Sequence, residues 1–97
     1  MEISELLKDA RAIWGPEKLT LSQIIVRLGV DLGKLCRWER NADKDRDAHT
    51  PEKLKEEMGN ILFSMIRWCD DLGFDPGECI AMAKERQKKF AGENTHR

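Results

Sequence analysis

The sequence has no long apolar run, no CxxC or CxxH pair, no internal repeat and no surplus of charge. Apolar residues fill 40% of its 97 positions. No stretch of them approaches the roughly 18–20 residues that cross a bilayer, so no membrane partner is expected. Lys and Arg number 17 against 18 Asp and Glu, a formal net charge of −1. That balance removes any general electrostatic drive toward nucleic acid or anionic lipid. The three cysteines, Cys36, Cys69 and Cys79, stand in apolar helical contexts without metal-ligand spacing. They read as buried, reduced thiols rather than disulfide or zinc partners. The opening MEISELLKD is acidic and amphipathic and lacks the basic flank of a signal peptide, which predicts a cytoplasmic chain. No segment alternates with the period of a strand.

Helical spacing is present throughout. Ile3, Leu6, Leu7, Ala10 and Ile13 lie on one helical face, closed by Gly15-Pro16. Thr20 stands where an N-cap would start a second helix, in which Ile24, Ile25, Leu28, Leu32 and Leu35 run to about Arg40. NADKDRDAHT holds five charges and no large apolar residue, a solvated loop. Thr50-Pro51-Glu52 places a cap, a first-turn proline and an acid beside the dipole of a third helix. Leu54, Met58, Ile61, Met65, Trp68 and Leu72 form one stripe on it, with Leu62, Ile66 and Cys69 beside them. A helix apolar on two sides needs two partners. Gly73 ends it, and Asp75-Pro76 starts a last helix to about residue 90. The pattern predicts one all-α, four-helix, bundle-like domain over residues 1–90 and a flexible tail over 91–97. So short a chain buries a limited core alone, so a homodimer or homotetramer is expected.

Two polar sets interrupt the apolar faces. Asp31, Lys34 and Trp38 share one side of the second helix, and Glu57, Asn60 and Ser64 share one side of the third. Antiparallel pairing would bring them across one cleft. Each set also reads as an ordinary solvated helix edge, with Trp38 packing at the rim.

The stretch EEMGNILFSMIRWCDDLGFDPGECIAMAKERQKKF, from Glu56 to Phe90, resembles the C-terminal half of the MazG-like all-α nucleoside-triphosphate pyrophosphohydrolases. That pattern runs EExGD, a leucine-rich helix, LG, a capped loop, and a last helix ending in a basic cluster and an aromatic. RLGVDLGKL stands, more loosely, where those proteins carry LxEExGEL, and Trp14 precedes the second helix as a tryptophan often does there. The resemblance implies two acidic pairs on facing helices that hold Mg²⁺, a hard ion suited to carboxylate oxygens. The ion activates a water against a nucleotide triphosphate, giving monophosphate and pyrophosphate. Carried over, the metal positions fall on Asp31, Lys34, Glu57 and Asn60. Only Glu57 is unchanged; Asp31 is shorter, Asn60 uncharged and Lys34 reversed in sign. The resemblance therefore implies a degenerate member with a nucleotide-binding or structural role, Lys34 taking the cation's place. Arg86 and Lys89, with Lys84 and Lys88 beside them, fall near its phosphate-binding positions, and Trp38 and Trp14 near the base.

Two alternatives stay open. One is a weak Mg²⁺-dependent pyrophosphohydrolase using Asp31, Glu57 and Glu56. The other is a DNA-binding regulator, since LTLSQIIVRLGVDLGKLCRWERN resembles a phage-repressor helix-turn-helix with Gly29 in its turn. Ile25 is bulky for the position that alanine holds there, and Asp31 opens the would-be recognition helix with the wrong charge.

Overall fold

The computed structural model of the chain describes residues 1–44 and 46–93. Four helices account for its regular structure: α1 (Ile3–Trp14), α2 (Leu21–Arg40), α3 (Pro51–Asp71) and α4 (Pro76–Glu93). There is no strand among the described residues.

The helix starts follow from local chemistry. The Thr20 hydroxyl accepts from the Gln23 N–H at 3.3 Å, and the Gln23 side chain accepts from the Thr20 N–H at 2.9 Å. This reciprocal box satisfies two donors at the α2 terminus that would otherwise lack partners. Thr50 caps α3 through the Lys53 N–H at 3.2 Å, with Pro51 at the first helical position. Asp75 accepts from the Gly77 N–H at 3.1 Å as α4 begins. Gly15 and Gly73, which follow α1 and α3, take φ of 82° and 81°, a region that penalises any side chain with a Cβ. α4 runs through residues 91–93, past its expected end; the rest of the expected tail, 94–97, lies outside the described residues.

α3 is the central element. Among the described residues α2 packs against α3 alone, whereas α1 and α4 pack against α3 and each other. Arg11 ties this arrangement together. Its guanidinium binds Asp70, meets Asp71 Oδ1 at 2.6 Å, and donates to the Glu17 carbonyl at 3.2 Å. Asp71 Oδ2 accepts from the Leu19 N–H at 3.2 Å. The acids end α3, where the dipole disfavours negative charge, so a cation from α1 offsets both. These two carboxylates, foremost Asp70, raise the Arg11 pKa above its ordinary value.

The apolar stripes are only partly covered. Ala10, Ile24, Ile66 and Trp68 form the buried apolar core, while Ile13, Ile25, Leu32, Met58 and Leu62 stay exposed. The radius of gyration is 16.4 Å, against about 13 Å for a compact chain of roughly 100 residues. Accessible surface is 7844 Å², whereas a compact monomer of this mass exposes roughly 5,700 Å². One chain is open for its size. The expectation of three buried thiols is corrected: Cys36 is exposed and Cys69 and Cys79 are half-buried. Cys36 lies on α2, which has one neighbouring helix and therefore one covered side.

Candidate functional site

α2 and α3 run antiparallel, and a cleft of about 330 Å³ lies between them. α2 contributes Arg27, Asp31 and Lys34 to its walls; α3 contributes Asn60, Ser64 and Arg67. Trp14, at the end of α1, closes one end. Beyond it a second hollow of about 250 Å³ reaches Glu17, Leu19 and Asp71. Trp14, Arg27 and Arg67 line both hollows.

Of the polar residues expected to meet here, the structure brings Asp31, Lys34, Asn60 and Ser64 together. Lys34 Nζ lies 3.8 Å from Asp31 Oδ1, the carboxylate buried and the lysine side chain 46% exposed. Glu57 is half-buried and does not line the cleft, and neighbouring Glu56 pairs at 4.0 Å with Lys53. Among the described residues no three His, Cys, Asp or Glu side chains converge as a metal-holding group.

Trp38 is engaged elsewhere. Its ring stacks on His49 with centroids 3.8 Å apart and planes 23° apart, and its Nε1–H donates to the Thr50 carbonyl at 3.0 Å. The expected solvated loop is therefore clasped at its far end, where Trp38 joins the close of α2 to the start of α3. Trp14 does border the cleft, with the Arg67 guanidinium 4.7 Å above its ring centre.

The basic cluster of α4 is exposed and separate. Lys84 and Lys88 border a shallow groove with Ile80 and Ala83, and Arg86 borders another with Phe90. Lys88 reaches Glu85 at 3.5 Å, and Lys89 is exposed. None of these cations lines the α2–α3 cleft, since α4 and α2 do not pack together.

Arg27 and Arg67 were missed by the reading of the sequence, although a pattern pointed to them. The steps of three and four through Asp31, Lys34 and Trp38 continue backward to Arg27. Those through Glu57, Asn60 and Ser64 continue forward to Arg67 and Asp71. Arg67 is only 8% exposed. Burial pushes its pKa below the ordinary value, against the opposing pull of Asp71. The cleft as built holds three cations, Arg27, Lys34 and Arg67, and one anion, Asp31. Its sign is positive.

The segment that resembled a helix-turn-helix is one continuous helix, with neither Gly29 nor Gly33 in a positive-φ turn. Comparison with known proteins finds no family model, no curated protein and no solved structure that matches this chain.

Proposed function

We propose that the chain is a degenerate MazG-like domain: a non-catalytic, nucleotide-binding helical protein that works as a homodimer or homotetramer. One observation carries the reading. Lys34 sits beside Asp31 in the cleft between two antiparallel helices, at the position where the resemblance puts a metal ligand. The residues present do not fit Mg²⁺. The ion wants several oxygen ligands in near-octahedral array, yet the cleft offers one carboxylate, already within reach of an ammonium, and two guanidinium groups. A divalent cation entering it meets net positive charge.

Surface area supports assembly. The chain exposes roughly 2,100 Å² more than a compact monomer of its mass would, well above the ~800 Å² that each partner contributes to a standard interface. Leu62, in the second stripe of α3, is 68% exposed, and Met58 on the first is half exposed. A second copy would cover them. The unbroken α2 argues against the DNA-binding alternative, since reading a duplex with this motif needs a turn before the recognition helix.

The test measures pyrophosphate release from a panel of nucleoside triphosphates, together with thermal unfolding, each with and without Mg²⁺. The parent is expected to release none and to show no Mg²⁺-dependent stabilisation. Lys34→Glu with Asn60→Asp makes the cleft more negative by three charges. That variant is expected to gain about 2.7 kcal/mol when the metal stands at a hundredfold excess over its dissociation constant. A parent that binds Mg²⁺ with micromolar affinity, or that hydrolyses a triphosphate in a Glu57-dependent way, rejects the proposal.

A further inference from the structure

Arg67 poses a problem that the fold does not solve. Its side chain is buried, its Nε has no hydrogen-bond partner, and no ion pair reaches it among the described residues. The nearest candidate counter-ion is already committed. Asp71 presents one oxygen to Arg11 and the other to the Leu19 N–H. A buried N–H without an acceptor is costly, because it gave up water on folding, and in Arg67 that group is the Nε–H. What holds the guanidinium is the Trp14 ring beneath it, at 4.7 Å. That stacking fixes the plane of the group but leaves its edge donors unused.

The surroundings repeat the pattern. The neighbouring Trp68 also lines the cleft, and its Nε1–H is a second buried donor without a partner. Arg27, exposed on the facing helix, lines the same two hollows, and Lys34 stands farther along the same face. Donors from two helices thus converge on one open space, whose walls also carry Asp31, Asn60 and Ser64 in the cleft and Glu17 and Asp71 in the second hollow. Repulsion from Arg27 and Arg11 adds to the burial that lowers the Arg67 pKa.

We infer that the junction of Trp14, Arg27 and Arg67 is a metal-independent seat for a phosphate dianion, either inorganic phosphate or the terminal group of a phosphomonoester. A tetrahedral oxyanion accepts two parallel N–H bonds from a guanidinium edge, which a point cation cannot offer. Bound between Arg27 and Arg67, it supplies an acceptor to the Arg67 Nε–H, which has none. The combined hollows are large enough for a group attached to the phosphate, since small-ligand sites start at about 300 Å³. The seat stands on this cleft alone and survives if the MazG-like reading fails.

The test is isothermal titration calorimetry of the full chain at neutral pH, with chelator present and ionic strength matched with chloride. Inorganic phosphate, adenosine monophosphate and adenosine are titrated separately. Inorganic phosphate is expected to bind and adenosine to give no heat. A monophosphate that binds more tightly than inorganic phosphate identifies an ester as the occupant; one that binds more weakly identifies the free ion. Arg67→Met is expected to weaken phosphate binding by about tenfold or more, the loss of a charged hydrogen-bonding partner. It should unfold no more easily than the parent, because an unpaired buried charge has gone. Should that variant fail to fold, Arg27→Gln on the exposed side of the cleft is read instead, with the same loss expected. Lys88→Gln on α4 should bind as the parent does. Absence of phosphate binding in the parent overturns the inference. So does an Arg67→Met or Arg27→Gln protein that folds and keeps the parent's affinity, or a Lys88→Gln protein that loses it.

Discussion

Replacing Arg11 with methionine keeps most of the aliphatic stem and removes the group that binds two acids at the end of α3. The two acids should not respond alike. The Asp71 side chain is fully buried, with Arg11 at 2.6 Å as its charged partner. The Asp70 side chain is 32% exposed, so water can replace much of what it loses. Breaking a buried ion pair from one side costs about 3–5 kcal/mol, while a partly exposed pair is worth roughly 0–1. Two features place the total near the lower end, at about 3 kcal/mol. The Arg11 side chain is itself 20% exposed, which lets solvent into the vacated space, and the Leu19 N–H still serves the other Asp71 oxygen. At about 4–8 °C per kcal/mol for a domain of this size, thermal unfolding should fall by roughly 12–24 °C.

The assay is urea unfolding at one fixed protein concentration, since assembly would make the midpoint concentration-dependent. Arg11→Met should lower the midpoint and leave the slope unchanged, whereas Asp70→Asn should cost about 1 kcal/mol or less. Arg11→Met with Asp71→Asn should be more stable than Arg11→Met alone, because the stranded carboxylate has been neutralised. The reasoning fails if Arg11→Met costs no more than Asp70→Asn, or if the two changes in the double variant simply add.

Other expected outcomes concern assembly and thiol chemistry. Leu62→Glu should convert the oligomer to monomer in light scattering at about tens of micromolar without loss of helical circular dichroism; a parent that is monomeric there refutes the surface argument. Burial, reinforced by a hydrogen bond with Cys79, holds the Cys69 thiol above its ordinary value of 9.0. The unfolded thiol therefore loses its proton first as the solution becomes alkaline. Stability from this group is complete below about pH 9 and is lost as pH rises above it. Cys69→Ala should flatten that part of the pH–stability curve, and an unchanged slope would show that other groups set it.

The helix boundaries were legible because their causes are local. Thr20 with Gln23, Thr50 with Pro51, and Gly73 before Asp75-Pro76 each fix a terminus with groups a few residues apart. Which stripes are covered was not legible, because that depends on how many neighbours a helix finds. Ile24 and Ile25 are equally apolar, yet one is buried and the other exposed, since α2 has α3 on a single side. Arg11 shows the same limit from the polar side. Nothing near it in sequence says that a helix-surface arginine will meet two acids 59 and 60 positions away. Spacing put Asp31 and Lys34 opposite Asn60 and Ser64 only on the condition that the helices pair antiparallel, and Trp38 and Glu57, expected on the same sides, do not line the cleft. The sign of the cleft was not legible, because the four expected metal positions omit Arg27, one turn before Asp31, and Arg67, two turns beyond Asn60.

Those arginines bear on how the cleft is held open. Arg27 belongs to α2 and Arg67 to α3, and no salt bridge joins the two helices among the described residues. α2 buries Ile24 and Asp31, and the Trp38 clasp joins the two helices at the other end. Two guanidinium groups facing one cleft repel, and burial of one of them strengthens that repulsion. The Trp14 end of the cleft is thus the electrostatically strained end, and the Trp38 end is the fastened one. An anion between Arg27 and Arg67 would change repulsion into two attractions across the α2–α3 contact, and α2 has no other helix to hold it. Ligand binding and α2 docking would then be one equilibrium, each favouring the other through the free energy of the same contact. A divalent metal at this end would act in the opposite sense, adding a third positive centre where two already repel.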